Sequence, residues 1–171
     1  VAYTLETVSP RGERRLEKIT SIGEVVPFDP LLARVLELGA DPATRIVSFT
    51  VTEAGYALDH AGRLDFAHAD IGNDLAGRAP RSIYGVVAAL LRRRRAAGAG
   101  PLTLLNCDNL RHNGDHFRAN LREYVGVADD AQFLAWADAN TTCPNAMVDR
   151  ITPRPTPETM ARIRAQAGWD D

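Results

Sequence analysis

The chain has 171 residues, 45% hydrophobic and 25% charged, with a formal net charge of -2. That length suits one domain with a real core, and the composition is ordinary for a globular protein. Near-neutral charge argues against general nucleic-acid binding, which needs a basic face, and no apolar run reaches the ~20 residues that span a bilayer.

Residues 1–8 alternate, with Tyr3 and Leu5 on one face and Thr4 and Glu6 on the other, the period of a strand. Ser9-Pro10-Arg11-Gly12 is turn chemistry, so residues 14–22 can return as the second strand of a hairpin. Pro30 sits where a helix could begin, with Leu31, Leu32, Val35 and Leu36 apolar, and Gly39 is placed to end it. Residues 45–52 (RIVSFTVT) form a β-branched run suited to a strand covered on both faces. Ser82 can cap a helix with the stripe Ile83, Val86, Val87, Leu90 and Leu91. That helix finishes in the arginines 92–95 and a Gly98, Gly100, Pro101 stop, before a second buried-type strand at 102–107.

Asn113 then caps a helix bearing Phe117, Leu121 and Tyr124, with Gly126 after its end. Asp129 and Gln132 have capping-box spacing before Phe133, Leu134 and Trp136. A short apolar run at 146–148 and a last helix opened by Thr156-Pro157, containing Met160 and Ile163, follow. Such alternation indicates an α/β fold with a mostly parallel sheet, flanking helices and an N-terminal β-hairpin. The runs 45–52 and 102–107 are expected to lie parallel, adjacent or one strand apart.

Three apolar runs end in polar residues: Thr52-Glu53, Asp108-Asn109 and Asp149-Arg150. In open α/β sheets ligands bind beyond the carboxyl ends of the strands, so these positions converge on one site; strand ends also carry polar residues simply as turns and caps. Asn109 offers a neutral amide that can donate to an oxygen gaining negative charge, or it makes an Asx turn into the next helix. Glu53 is a proton relay at the mouth of a crevice or a solvated strand-end charge. Asp149 contacts a polyhydroxylated ligand or pairs locally with Arg150. Asp108 reads as a structural acceptor. The arginines 92–95 read as a solvated face favoured by the helix dipole over a phosphate patch. His60, His68, His112 and His116 lack metal-ligand spacing, so no metal site is read. Cys107 and Cys143 are too few for a disulfide framework, and a reducing cytoplasm is the natural compartment. No signal peptide is visible; a start at Val1, inside an apparent strand, reads as a fragment or a processed terminus.

The stretches TRIVSFTVTEAGYALD, PRSIYGVVAALLRRRRAAG, LTLLNCDNLRHNG and NAMVDRITP, in order from Thr44 to Pro153, resemble the mannitol dehydrogenase family. The pair CDNLxxNG and MVDRITP is the specific part. The family comprises mannitol 2-dehydrogenases, arabinitol dehydrogenases and fructuronate reductases (mannonate oxidoreductases), zinc-independent enzymes that pass hydride between a nicotinamide cofactor and a secondary alcohol. The resemblance implies NAD or NADP as cofactor and a polyol or sugar acid as substrate, with neither nucleic acid nor membrane as partner. It also implies that residues 1–171 are the C-terminal portion of a Rossmann-like domain. The family's glycine-rich pyrophosphate loop and its catalytic Lys, Asn and His have no counterpart here, so the chain by itself is expected to be inactive. What carries over is Glu53 as the proton-path residue, Asn109 as the oxyanion-side donor and Asp149 as a contact near substrate or nicotinamide. Two other readings stay open: a stand-alone non-catalytic binding module, and a structural remnant that keeps half a nucleotide fold.

Overall fold

The computed structural model describes residues 1–129, 131–148 and 156–167. The turn at Ser9 folds the first segment back: its carbonyl accepts from Gly12 N–H at 2.9 Å and its hydroxyl from Glu13 N–H at 3.2 Å. The expected antiparallel hairpin results, β1 (Tyr3–Val8) with β2 (Arg14–Ile19), pairing Tyr3 with Ile19 and Val8 with Arg14. None of its residues joins the core.

Helix α1 spans Ala33–Ala40 and does not begin at Pro30. The Asp29 carboxylate accepts from Leu31 N–H (3.0 Å) and Ala33 N–H (3.1 Å), and Leu32 takes a left-handed φ of 54°, so residues 29–32 form a capping turn instead. Gly39 does not end the helix either. It lies buried inside it, where a Cβ would stand 2.3 Å from Leu90 Cγ of α3 (Ile83–Ala96). The glycine permits close approach of two helices, a tertiary demand that outranks its stop signal.

The short helix α2 (Ala69–Leu75) ends beside the start of α3. There the Asp74 carboxylate accepts from Arg81 N–H (2.8 Å), Ser82 N–H (2.9 Å) and the Ser82 hydroxyl (2.6 Å). Ser82 Oγ accepts from Gly85 N–H at 3.0 Å, the cap its position in the sequence indicated. Helix α3 packs on α1, α2 and two later helices, α4 (Asn113–Ala128) and α5 (Ala131–Asn140), so it buries more than one stripe: Tyr84 and Ala88 are covered with Val87, Leu90 and Leu91, while Ile83 and Val86 are half-buried.

The sheet runs β3-β4-β5, with β3 at Ile46–Phe49, β4 at Leu102–Asn106 and β5 at Thr141–Thr142. Both pairs are parallel, and the two predicted runs are immediate neighbours, with Val47 opposite Leu104 and Phe49 opposite Asn106. Side-chain alternation puts Val47, Phe49, Leu102, Leu104 and Asn106 on one face, over Val87, Leu91, Phe117, Leu121 and Val125. Ile46, Ser48, Thr103 and Leu105 point to the other face and are exposed or half-buried. The expectation of a strand covered on both faces is therefore corrected: in the described residues only one face is covered. The third strand is also displaced, since Thr141–Thr142 pairs with β4 and residues 143–148 have no regular structure.

Helix α4 (Asn113–Ala128) buries Phe117, Leu121 and Tyr124 as expected, but continues through Gly126. Asp129 is not part of a capping box for α5 (Ala131–Asn140); its carboxylate accepts from Arg92 Nε at 2.7 Å and ties the end of α4 to α3. Helix α6 occupies Pro157–Ala167, where Thr156-Pro157 predicted its start. No helix among the described residues is long and apolar enough to cross a membrane.

The arginines 92–95 are not one solvated face. Arg92 pairs with Asp129, and both Arg92 and Arg95 lie over the Phe133 ring at 5.7 and 5.8 Å. Arg94 is fully buried. Its guanidinium donates to five backbone carbonyls: Gly39 (2.7 Å), Asp41 (3.0 Å), Thr44 (3.0 Å), Gly100 (2.7 Å) and Pro101 (3.4 Å). Removing one partner from a buried carbonyl costs ~1–3 kcal/mol. Arg94→Ala is therefore expected to lower stability by at least ~3 kcal/mol, several carbonyls losing their donor together. Arg94→Lys should recover less than half of this, because a three-donor ammonium cannot span the fork. Denaturant midpoints of the three proteins check both expectations.

Candidate active site

Asn106 takes the last inward position of β4 and is fully buried; its Oδ1 has no partner among the described residues, and its Nδ2 is satisfied inside the protein. Its Nδ2 donates to the Tyr56 hydroxyl at 2.6 Å, and that hydroxyl donates in turn to the Asp108 carboxylate. Tyr56 closes a 3-10 turn, Glu53–Tyr56, that follows β3, and is only 1% exposed. Burial, and then the carboxylate at its hydroxyl, hold Tyr56 above the ordinary tyrosine pKa, so it stays a neutral donor at any working pH. The other Asp108 oxygen accepts from Leu110 N–H at 3.1 Å. The Asx turn that the sequence allowed at Asn109 is thus made by Asp108.

Asn113 does not cap α4 from outside; it is the first helical residue, behind His112 in a left-handed conformation (φ 55°). It is completely buried and joins three segments. Its Nδ2 donates to Asp108 O (3.1 Å) and Asn106 O (3.4 Å), and its Oδ1 accepts from Gly114 N–H (2.8 Å) and Ala146 N–H (2.9 Å). A Cβ on Gly114 would meet the Cys143 and Pro144 carbonyl oxygens at 2.4 Å, so only glycine lets the helix start reach the chain after β5. Asn145 completes the contact, accepting from Asp115 N–H at 3.0 Å and donating to the Asp115 carboxylate at 2.8 Å. Burial pushes the Cys143 thiol up to about 11, which makes it packing and not a nucleophile.

These bonds leave Asn109 facing outward. It is exposed and makes no hydrogen bond to any described residue. It lines a cleft of about 790 Å³ beyond the carboxyl end of β4, together with Asp108, Leu110, His112, Asn145 and Met147. The backbone of Glu53 opens the turn after the neighbouring strand β3, so two of the three sequence-derived positions leave adjacent parallel strands at the same edge. Asp149, the third, lies outside the described residues; Met147, two positions before it, is on the cleft wall. Among the described residues no three His, Cys, Asp or Glu side chains gather to hold a metal ion.

Tyr56, Asn106 and the bridging role of Asn113 are not among the features that the sequence patterns single out. The signal for Asn106 was present, since Leu102, Leu104 and Asn106 share one face of the alternation and an inward amide demands a partner. Tyr56 carried no such mark, its partner lying 52 residues away.

A family model for the mannitol dehydrogenase Rossmann domain matches residues 2–167. The chain is 58% identical to a D-arabinitol 4-dehydrogenase of Ralstonia nicotianae and 50% identical to one of Klebsiella pneumoniae, each over 99% of this chain but 36% and 37% of the relative. It thus spans about a third of the length of the curated relatives it matches. Among solved structures it is similar to a mannitol 2-dehydrogenase of Pseudomonas fluorescens in ternary complex with NAD and D-mannitol, with a TM-score of 0.76 and 32% identity over 96% of this chain and 34% of that one. A substrate-free D-sorbitol dehydrogenase gives 0.74 and 37% over 99% and 35%. Matched by the family model along nearly its whole length, this chain belongs to the mannitol dehydrogenase family.

Proposed function

We propose that this chain is the C-terminal portion of the Rossmann-like domain of a longer, zinc-independent polyol dehydrogenase. The enzyme is cytoplasmic, uses NAD or NADP, and oxidises a secondary alcohol of a polyol or sugar acid. Because two relatives that match 99% of this chain are D-arabinitol 4-dehydrogenases, D-arabinitol is the first substrate to assay, with mannitol and mannonate types after it.

The observation that carries the reading is the outward Asn109 amide, unused by its own loop and set in a cleft at the end of the middle parallel strand. A cleft of about 790 Å³ is of the size that small ligands occupy. Its wall sets the apolar side chains of Leu110, Ala146 and Met147 beside the polar ones of Asn109, His112 and Asn145, a mixture that suits the nicotinamide end of a dinucleotide beside a small polyol. A nicotinamide held there would supply the hydride acceptor for the carbinol carbon. The hydroxyl proton leaves separately, and the oxygen gains negative character as it goes. Asn109 donates its amide N–H to that oxygen, a neutral donor aimed where charge develops. Glu53, on the turn after β3, passes the proton onward to solvent. Asp149, in the MVDRITP stretch that follows the cleft wall, binds substrate hydroxyls. The base that takes the proton lies outside this chain, whose one lysine, Lys18, is exposed in the β1–β2 hairpin.

Two outcomes follow for kinetics. In the full-length protein Asn109→Ala lowers kcat by ~10²–10³ for polyol oxidation while cofactor affinity stays nearly unchanged, read by nicotinamide absorbance and by cofactor titration. The 171-residue chain by itself shows no turnover of D-arabinitol, mannitol, fructose or fructuronate with either cofactor. Turnover by the short chain would place the base within it, and a normal rate for Asn109→Ala would reduce Asn109 to a loop residue.

A further inference from the structure

The turn that opens with Glu53 and the loop that presents Asn109 leave different strands, and few backbone contacts hold them together. Cys107 N–H donates to the Phe49 carbonyl at 2.7 Å, and Thr50 Oγ1 donates to the Cys107 carbonyl at 2.9 Å. Both bonds lie before the residues that face the cleft. Past them, the side-chain link among the described residues is the chain Asn106 to Tyr56 to Asp108. Its direction is fixed: the Asn106 amide donates to the tyrosine oxygen, which must then spend its own proton on the carboxylate. The turn is itself held to α3, since the Tyr84 hydroxyl donates to the Tyr56 carbonyl at 3.0 Å. Asp108 uses one oxygen on Tyr56 and the other on Leu110 N–H, so it clamps the loop on both sides of Asn109.

We infer that Tyr56 is a positioning residue for alcohol oxidation: its hydroxyl, through Asp108, fixes the loop that aims Asn109 and couples it to the turn bearing Glu53. The inference rests on the assignment of Asn109 as the oxygen-side donor. Packing alone does not call for the hydroxyl. Phenylalanine would fill the same buried space, and a buried hydroxyl facing a carboxylate is retained at a cost unless it is used.

The test is a double-mutant cycle in the full-length protein, measuring kcat and KM for polyol oxidation together with the melting temperature. Tyr56→Phe, which keeps the ring, is expected to lower kcat by ~10- to 100-fold, as a displacement of about 1 Å at a reacting group can. The KM for cofactor should hold. The double variant Tyr56→Phe/Asn109→Ala should be no slower than Asn109→Ala, because Tyr56 acts through Asn109. A Tyr56→Phe protein that melts earlier yet keeps its kcat overturns the inference and leaves Tyr56 purely structural. Losses that multiply in the double variant also overturn it, while a slow Asn109→Ala keeps the site reading intact. If Asn109→Ala turns over normally, both readings fall. Should Tyr56→Phe not accumulate as folded protein, Asp108→Asn carries the same cycle, since a neutral amide can accept from only one of the two donors that Asp108 serves.

Discussion

The Arg94 guanidinium is buried, and its hydrogen bonds all go to backbone carbonyls. Those carbonyls belong to the end of α1, the approach to β3 and the approach to β4, so one side chain ties together the points where a helix ends and two paired strands begin. A planar fork of donors suits this task because its geometry is set by resonance and not by a choice of rotamer. With Arg94 in place, β3 and β4 enter the sheet from fixed points, and Gly39 lets α1 close on Leu90 beside them. The strands then run about four or five residues to their other ends, where Asn106, Tyr56 and Asp108 join them again. One end of the sheet is held by a cation among carbonyls, the other by a tyrosine between an amide and a carboxylate. The cleft lies just past the second.

The CDNLRHNG stretch is specific because its residues divide two kinds of labour. Asp108, Asn113 and Gly114 build the loop: one clamps its beginning, one bridges it to the chain after β5, and one leaves room for that chain to arrive. Asn109 is left over: it is exposed on the cleft wall and carries none of the bonds that hold the loop. Helix α4 starts directly behind the loop, so the positive end of its dipole lies on the same side as the cleft.

Much of this was legible locally. The two buried-type runs, the Ser82 cap, the stop after α3 and the last helix all follow from period, capping chemistry and Gly or Pro placement, which act over a few residues. What escaped was decided at a distance. Four consecutive arginines look alike in sequence, and only the fold shows that one is surrounded by five carbonyls, three of them from residues 50 or more positions away. Gly39 and Gly126 both carry helix-stop signals, yet one serves close packing and the other is part of the last turn of α4. Asp129 has the spacing of a cap but spends its carboxylate on Arg92, because a charged partner across the core outcompetes a local N–H. Strand-end logic picks out Asn109 and Glu53 as positions that follow adjacent strands, whereas the Tyr56–Asp108 bond between the two loops needed the parallel register to be seen.

That register makes the molecule intolerant of a particular kind of genetic change. Moving β4 by one residue would turn Thr103 and Leu105 inward, send Leu104 out, and offer Tyr56 the Cys107 thiol in place of an amide. A single-codon insertion or deletion within residues 102–106 would therefore damage core and cleft together. The same event between residues 20 and 28, which lie exposed or half-buried in irregular chain, would be absorbed. Homologous sequences should vary in length in that early segment and stay constant from β4 through the start of α4.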